Sequence, residues 1–188
     1  MKKSIIMILF IVTGFALFAR EETLFTPEIS LGTGISIYDS SKSETQTSIL
    51  NNSNFKRIIA GFTADTTVNI SKPLRLLFGA EVFSDFLWDS DNYYNTTDYS
   101  FFTGIKIYPK EQGFNFSIAY ALGNRTDFIN KDTDTKDWGN GFRLSIQYDF
   151  MEDKEYKVRP LAGVYYRCIP RGNYSTDHIL CIYGGIRF

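Results

Sequence analysis

Hydrophobic residues recur at every second position along most of the chain after residue 26. A period of two is typical of β-strands that have one apolar and one polar face. The stretch 142–150 is the clearest case, because its even-numbered positions are all hydrophobic and its odd-numbered positions are Arg143, Ser145, Gln147 and Asp149. The alternation therefore predicts a domain built almost entirely of β-strands.

Eight such segments are predicted, each bounded by polar stretches or turn residues. They span residues 27–39, 55–70, 74–86, 98–108, 114–123, 142–150, 158–167 and 176–188. Their connections alternate in length, with long polar loops near 40–54, 89–97, 129–137 and 170–175 and shorter turns near 71–73, 109–113 and 151–155. An even number of strands, with the long and short connections at opposite ends, predicts an antiparallel up-and-down barrel.

The two faces of the predicted strands differ in charge. One face has no charged residue in the central spans, whereas the other combines small residues with charges of both signs. The predicted lumen-facing charges are Asp65, Arg75, Glu81, Asp85, Lys106, Arg143, Asp149, Arg159 and Arg187. An Arg or Lys facing the middle of a bilayer costs about 2–4 kcal/mol, so the uncharged face suits lipid. The pattern favours a membrane barrel over a soluble lipocalin-like barrel or β-sandwich, in which the apolar face would form the core.

The final stretch, 176–188, ends on an aromatic residue and has an alternating apolar face. It resembles the closing strand of the small eight-stranded outer-membrane barrels, of the OmpA transmembrane domain, OmpX and OmpW types. The resemblance implies that Phe188, with Ile186, Ile182 and Leu180, forms the C-terminal signal read by the barrel assembly machinery. It also implies an all-β, eight-stranded antiparallel transmembrane barrel, integral to the outer membrane of a Gram-negative-type envelope.

Residues 1–19 have the composition of a secretory signal peptide. Lys2 and Lys3 precede an apolar run over 5–18, and Ala19 offers a small residue for cleavage. The run is short for crossing about 30 Å of hydrocarbon. A cleaved signal peptide is therefore predicted, with the barrel domain over 20–188.

Composition narrows the expected partners. The 20 Lys and Arg residues nearly balance the 21 Asp and Glu residues, so no basic surface for nucleic acid is indicated. The 16% of aromatic residues gather near strand ends, as interfacial girdles do. The girdle residues are predicted to be Tyr108, Phe114, Phe150, Tyr156 and Phe188 at the turn end and Trp88, Tyr99, Trp138 and Tyr174 at the loop end. Expected partners are outer-membrane lipid and extracellular or host ligands of the four loops.

Groups suited to catalysis or metal binding are few. His178 is the one histidine, and it lies beside Asp177 and near Ser175. Some barrels of this size are lipid A-modifying enzymes that use His, Ser and an acidic residue. However, His178 has the parity of the apolar face, and Leu180 occupies the Ser position of the His-x-Ser pattern. We therefore predict no catalytic residue.

A metal site is also disfavoured. The acidic loop 132–137 lacks the glycine and the terminal glutamate of an EF-hand loop, so a solvated acidic loop is the better interpretation. The sequence contains neither a nucleotide-binding glycine motif nor a Cys/His metal cluster. No metal and no cofactor are predicted.

The two cysteines, Cys168 and Cys181, would by default form a disulfide in an oxidising compartment. In a regular hairpin, directly opposed residues have a constant sum of positions and share a face. Because 168 is even and 181 is odd, the two side chains are expected on opposite faces. A disulfide is disfavoured unless a bulge shifts the register.

Two functions remain open at this point. An eight-stranded barrel is just wide enough to be filled by side chains, which favours a plugged structural barrel that displays surface loops. The alternative is a narrow OmpW-like channel for small apolar solutes, because the inward set includes Ile59, Leu77, Phe83, Leu161 and Ile179. A soluble lipocalin-like ligand-binding barrel and a lipid A-modifying enzyme are less favoured.

Overall fold

The computed structural model of the chain describes residues 25–38, 49–51, 54–71, 73–109, 113–130, 132–150, 158–171 and 176–188. The predicted signal peptide lies outside the described residues, as do most of the loop 40–54 and the girdle residues Tyr156 and Tyr174. No helix in the described part of the chain is long and apolar enough to cross a membrane.

The described residues form nine strands in one antiparallel sheet. The strands are β1 (Phe25–Tyr38), β2 (Lys56–Ser71), β3 (Leu74–Trp88), β4 (Tyr93–Ile107), β5 (Phe114–Ile129), β6 (Asp132–Thr135), β7 (Gly139–Asp149), β8 (Arg159–Pro170) and β9 (Thr176–Arg187). Eight of them close into a barrel, because β1 pairs with β9 and β5 pairs with both β4 and β7. The short β6 only extends β5 at the loop end. The predicted eight-stranded up-and-down barrel is confirmed.

The barrel is apolar outside and charged inside. Leu31 and Ile182 are 67% and 68% exposed, whereas the lumen-facing Glu81 and Arg143 are 1% and 4% exposed. An exterior of contiguous large apolar side chains is unfavourable in water, and a closed β-barrel is one of the two structures that satisfy their backbone inside lipid. The barrel therefore spans a membrane, and the soluble lipocalin-like alternative is wrong.

The hairpin of β4 and β5 is longer than predicted. Pairing continues from Tyr99 opposite Asn124 to Tyr94 opposite Ile129, so the connection between β3 and β4 covers only 89–92 instead of 89–97. Most of the added residues are polar, but Thr and Tyr favour strands and ladder hydrogen bonds need no apolar face. This hairpin, with β6, extends the loop end of the barrel.

The two cysteines lie in the β8–β9 hairpin, which has a regular register. Cys168 is opposite His178, and Cys181 is opposite Tyr165. Both cysteines are buried and free. The parity of their positions therefore gave the correct result, since one thiol faces outwards and the other faces the lumen.

Candidate functional site

A cluster of paired charges lies at the turn end of the lumen. Glu28 of β1 is 2% exposed and binds Arg187 of β9 at 2.6 Å and Lys106 of β4 at 2.9 Å. Gln147 of β7 also donates a hydrogen bond to Glu28 at 3.1 Å. A buried carboxylate is costly unless it is paired, so three strands are tied to β1 through this one side chain.

Tyr108 completes this turn-end cluster. Its hydroxyl donates to Asp149 Oδ2 at 2.9 Å and accepts hydrogen bonds from Arg75, at 3.3 Å, and from Arg187. The guanidinium of Arg75 also lies 4.1 Å from the centre of the Tyr108 ring. Tyr108 is fully buried, so its predicted place in the lipid-facing girdle is wrong; its parity places it inside the barrel, where its hydroxyl is satisfied by charged partners.

A second network, the arginine–carboxylate chain, continues from the middle of the lumen to the loop end. Its members are, in order of contact, Arg143, Glu81, Arg167, Asp98, Arg171, Asp177, Arg125 and Asp127. The contacts of Glu81 with Arg143 and Arg167 are both 3.0 Å, and the contact of Arg167 with Asp98 is 2.6 Å. Positive and negative groups alternate along the whole arginine–carboxylate chain. This network joins β3 to β7 and β8 across the lumen and ends on β5.

Arginine is well suited to this arrangement, because its planar fork of donors can bridge two carboxylates. Arg167 also donates to Ser100 at 2.7 Å, and Ser100 donates to Glu81 at 3.2 Å. Arg171 donates to the backbone oxygens of Gly123 and Asp137, both at 2.8 Å. The members of the arginine–carboxylate chain thus bind one another and also bind other groups of the barrel wall.

Apolar and aromatic side chains occupy the lumen around the charged groups. One cluster contains Phe83, Leu161, Tyr165, Ile179, Cys181 and Tyr183, with Ile59 packed against it, and another contains Leu77, Phe102, Ala119, Ala121 and Ile169. The guanidinium of Arg143 lies 4.6 Å from the ring centre of Phe102 and 4.2 Å from that of Tyr165. The clusters therefore pack directly against the ion pairs.

The structure places the predicted lumen charges in several groups. Glu81 and Arg143 belong to the arginine–carboxylate chain, and Lys106, Asp149, Arg187 and Arg75 belong to the turn-end cluster. Asp85 binds Arg57 at 2.6 Å and accepts a hydrogen bond from Ser36 at 3.0 Å. Asp65 lies between Glu28 and Gly79 in the sheet register, and Arg159 lies opposite Arg187.

Several charged residues of the lumen were not in the predicted set of lumen-facing charges. They are Glu28, Asp98, Arg125, Asp127, Arg167, Arg171 and Asp177. Glu28, Asp98, Arg167 and Asp177 have the parity of the polar face, so the strand pattern could have identified them. Arg125 and Asp127 lie beyond the predicted end of the fifth strand, and Arg171 follows β8, so no strand parity was available for these three.

His178 and Asp177, which were considered for catalysis and not predicted to be catalytic, lie on opposite faces of the barrel wall. His178 lies on the outer face, where its Nδ1 is 2.7 Å from the Tyr166 hydroxyl and the two rings stack with centres 6.0 Å apart. Asp177 points the other way and binds Arg125 at 2.5 Å, and Ser175 lies outside the described residues. Within the described ranges, no group of three His, Cys, Asp or Glu side chains is arranged to hold a metal ion.

The C-terminal residues lie at the seam where the barrel closes. Leu180, Ile182 and Ile186 point outwards and are exposed. Phe188 follows β9, and its backbone nitrogen donates to the oxygen of Pro27 at 3.0 Å. Their role as an assembly signal stays a prediction.

The fold and the polar lumen define the class: a small eight-stranded barrel of the outer-membrane type. No protein-family model matches the sequence, and no curated protein matches it. Among solved structures, Ail, the attachment invasion locus protein of Yersinia pestis, crystallised with the heparin analogue sucrose octasulfate, matches with a TM-score of 0.57 and 12% identity over 87% of this chain and 99% of Ail. Neisserial surface protein A matches with a TM-score of 0.56 and 11% identity over 88% of this chain and 96% of that protein. At these identities the likeness concerns the fold.

Proposed function

We propose that the protein is an integral outer-membrane barrel with a closed lumen, which makes contacts outside the cell through its loop end and catalyses no reaction. The observation that supports the closed lumen is the arginine–carboxylate chain, in which Glu81 and Arg167 pair at 3.0 Å with neither side chain exposed. On this proposal, a solute would pass only by separating such pairs. Leaving one buried charge uncompensated costs about 3–5 kcal/mol.

Conductance is the test of the closed lumen. The mature protein is refolded in detergent, and its folding is checked by the difference in electrophoretic mobility between boiled and unboiled samples. In planar bilayers we expect no steady conductance above that of protein-free membranes. Vesicles containing the protein should also take up small apolar solutes no faster than empty vesicles. A reproducible single-channel conductance from the folded species, or faster solute uptake, would instead favour the narrow-channel function.

The loop end favours a positively charged partner. In the four predicted loop regions, Asp and Glu outnumber Lys and Arg, and Arg171 is buried in the arginine–carboxylate chain. The exposed residues of β6 include Asp132 and Asp134. Opposite charges steer association, so this surface should repel a polyanion, unlike Ail, which was crystallised with a sulfated sugar.

This partner chemistry is tested by comparing two immobilised polymers. The protein in nanodiscs is passed over heparin and over polylysine at physiological salt, with empty nanodiscs as the control. We expect retention on polylysine alone, and the retention should weaken as salt is raised. Retention on heparin would contradict the proposal.

The proposed absence of catalysis is supported by the outward position of His178 and the inward position of Asp177. General acid–base catalysis requires its groups within hydrogen-bond reach of one substrate. Incubation of the refolded protein with lipid A should leave the acyl chains intact by mass spectrometry. Deacylation that His178→Ala abolished would overturn this part of the proposal.

A further inference from the structure

A groove of about 650 Å³ lies on the outer face of the sheet at the loop end of the barrel. Its apolar and aromatic lining residues are Ile58, Phe86, Trp88 and Tyr93. Ile58 is opposite Phe86 in the β2–β3 register, and Trp88 is opposite Tyr93 in the β3–β4 register. Two neighbouring cross-strand pairs therefore form the floor of the groove.

The groove lies beyond the part of the sheet that crosses the hydrocarbon. A tilted strand needs about 9–11 residues to cross it. β3 has 15 residues and begins at the turn end with Leu74, so the crossing length ends near Ser84. Phe86 and Trp88 come after that point. The floor of the groove thus stands above the acyl chains.

A row of polar side chains separates the groove from the lipid-facing surface. Ser84 is opposite Thr97, and Thr97 is opposite Thr126. The hydroxyl oxygens of Ser84 and Thr97 are 3.2 Å apart, and Asn95 donates to Thr97 Oγ1 at 3.2 Å. The hydroxyl oxygens of Thr126 and Thr135 are 3.3 Å apart. The groove is therefore an apolar surface of its own, and apolar patches with a polar border mark interaction sites.

The rim of the groove is held by hydrogen bonds. Asp89 Oδ1 accepts from the backbone nitrogens of Asp91, at 2.9 Å, and Asn92, at 2.8 Å. Asn130 Oδ1 accepts from the backbone nitrogen of Tyr93 at 2.8 Å, and the backbone nitrogen of Asn130 donates to the oxygen of Tyr93 at 2.8 Å. A rim fixed in this way is preorganised, which lowers the entropic cost of binding.

The charge of the groove is negative. Its charged lining residues are Asp89 and Asp91, and Asp91 is exposed. Lys56 is opposite Trp88 in the register but does not line the groove. Complementary charge selects the partner of a surface, so the rim favours a cationic group while the floor favours an apolar one.

We propose that this groove binds a basic peptide segment of an extracellular partner, in which an apolar side chain is flanked by Lys or Arg. The apolar side chain lies on Ile58, Phe86 and Trp88, and the cationic groups meet the acidic rim. The inference rests on the proposed cationic partner and adds the place of contact and the need for an apolar anchor. Such anchors in pockets supply much of the affinity of protein interfaces.

A second outer groove, of about 430 Å³, lacks this combination. Its lining residues, which include Phe116 and Leu144, come from β4, β5, β7, β8 and β9 and include no charged side chain. They lie within the crossing segments of these strands, where the outer face of a barrel is apolar. That groove should contact acyl chains and no peptide.

Tryptophan fluorescence can test the proposal, because the chain has two tryptophans and Trp138→Phe leaves Trp88 as the single reporter. The protein in phosphatidylcholine nanodiscs is titrated with three short capped peptides: leucine between lysines, serine between lysines, and leucine between glutamates. We expect the leucine–lysine peptide to change the fluorescence of Trp88 in a saturable way. The serine–lysine peptide should bind about tenfold more weakly, because it buries no apolar side chain. The leucine–glutamate peptide should not bind.

Variants of the groove have matched controls. Asp91→Asn should weaken binding of the leucine–lysine peptide about threefold, whereas Asp134→Asn, which removes an exposed carboxylate of β6, should not. Ile58→Ser should weaken binding of the leucine–lysine peptide but not of the serine–lysine peptide. Ile37→Ser, at a similarly exposed position of β1, should change neither. Folding of each variant is checked by the difference in mobility between boiled and unboiled samples.

The outcomes separate this inference from the proposed function. Equal binding of the two lysine peptides, or unchanged binding by folded Asp91→Asn, would overturn the inference even if polylysine retains the protein. No retention on polylysine and no binding of either lysine peptide would overturn the proposed cationic partner as well. Strong quenching of Trp88 by lipid brominated on its acyl chains would place the groove in the hydrocarbon and would also overturn the inference.

Discussion

Arg167 and Asp98 form an ion pair of 2.6 Å in which neither side chain is exposed. The same guanidinium binds Glu81 at 3.0 Å, so Arg167 separates two buried carboxylates that come from the neighbouring strands β4 and β3. Without it, these two negative groups would lie close together in a low-dielectric interior, where unpaired charge is most costly. Arg167 therefore has a larger electrostatic role than a single ion pair implies.

Replacing Arg167 with Met should lower the free energy of unfolding by about 3–5 kcal/mol, because it leaves buried carboxylates without their partner. Urea titration of the refolded protein in lipid vesicles measures the change. Lys136→Met is the matched control, since Lys136 pairs with Asp134 where both side chains are substantially exposed; it should cost less than about 1 kcal/mol. Equal costs for the two variants would show that the buried network contributes no more than a surface pair.

Because the apolar outer face of the barrel lies in lipid, the cost of placing a charge on that face should depend on depth in the membrane. Ile182, in the middle of β9, is 68% exposed, and Ile37, next to the loop end of β1, is 61% exposed. Ile182→Arg should cost about 2–4 kcal/mol of unfolding free energy in a bilayer, whereas Ile37→Arg should cost about 0–1 kcal/mol. Urea titration in vesicles again gives the values. In a water-soluble barrel, both substitutions would be nearly neutral, so similar small effects would contradict the orientation.

The alternation of residues predicted the two faces of each strand, and hence the barrel and its strand count, and the restriction of charges to one face predicted that the other face meets lipid. It could not predict which inward charges meet. Parity assigns Arg75, Arg143 and Glu81 to the same face, but only the register between strands decides that Glu81 meets Arg143 at 3.0 Å while Arg75 lies against Tyr108. That register depends on the closure and tilt of the whole barrel.

The loop end was harder to predict for a different reason. Residues such as Asn95, Thr96 and Asn124 are polar, and no apolar alternation indicates that they continue β4 and β5 beyond the lipid-facing band. Their strand structure comes from backbone pairing. As a result, the sequence did not predict whether Arg125 and Asp127, which end the arginine–carboxylate chain, point into or out of the barrel.

The lumen should tolerate added volume poorly. A Cβ at Gly79 would lie 2.6 Å from Asp65 Cβ and still closer to the Phe102 ring, whereas at Gly184 the nearest atom would be Leu161 O at 3.8 Å. Overpacking typically costs about 1–3 kcal/mol, so Gly79→Ala should lower the unfolding free energy by that amount and Gly184→Ala should be nearly neutral.

Larger side chains in the lumen should prevent folding. Gly79→Arg and Ala121→Arg should abolish the difference in electrophoretic mobility between boiled and unboiled samples, whereas substitutions in loop 40–54 should preserve it. Equal tolerance at lumen and loop sites would count against a filled lumen.

The register of β8 and β9 makes a prediction about the cysteines. Cys168 lies opposite His178 on the outer face, and directly opposed residues have Cα atoms about 4.5–5.5 Å apart, within the range of a disulfide. In a Cys181→Ser background, His178→Cys should therefore form a disulfide with Cys168 on oxidation and leave no thiol reactive towards maleimide after unfolding. Ile182→Cys shares that face but lies opposite Val164, so it should leave both thiols reactive, as should the oxidised wild-type protein. A wild-type protein without reactive thiols would mean that the hairpin adopts a different register, with Cys168 and Cys181 on one face.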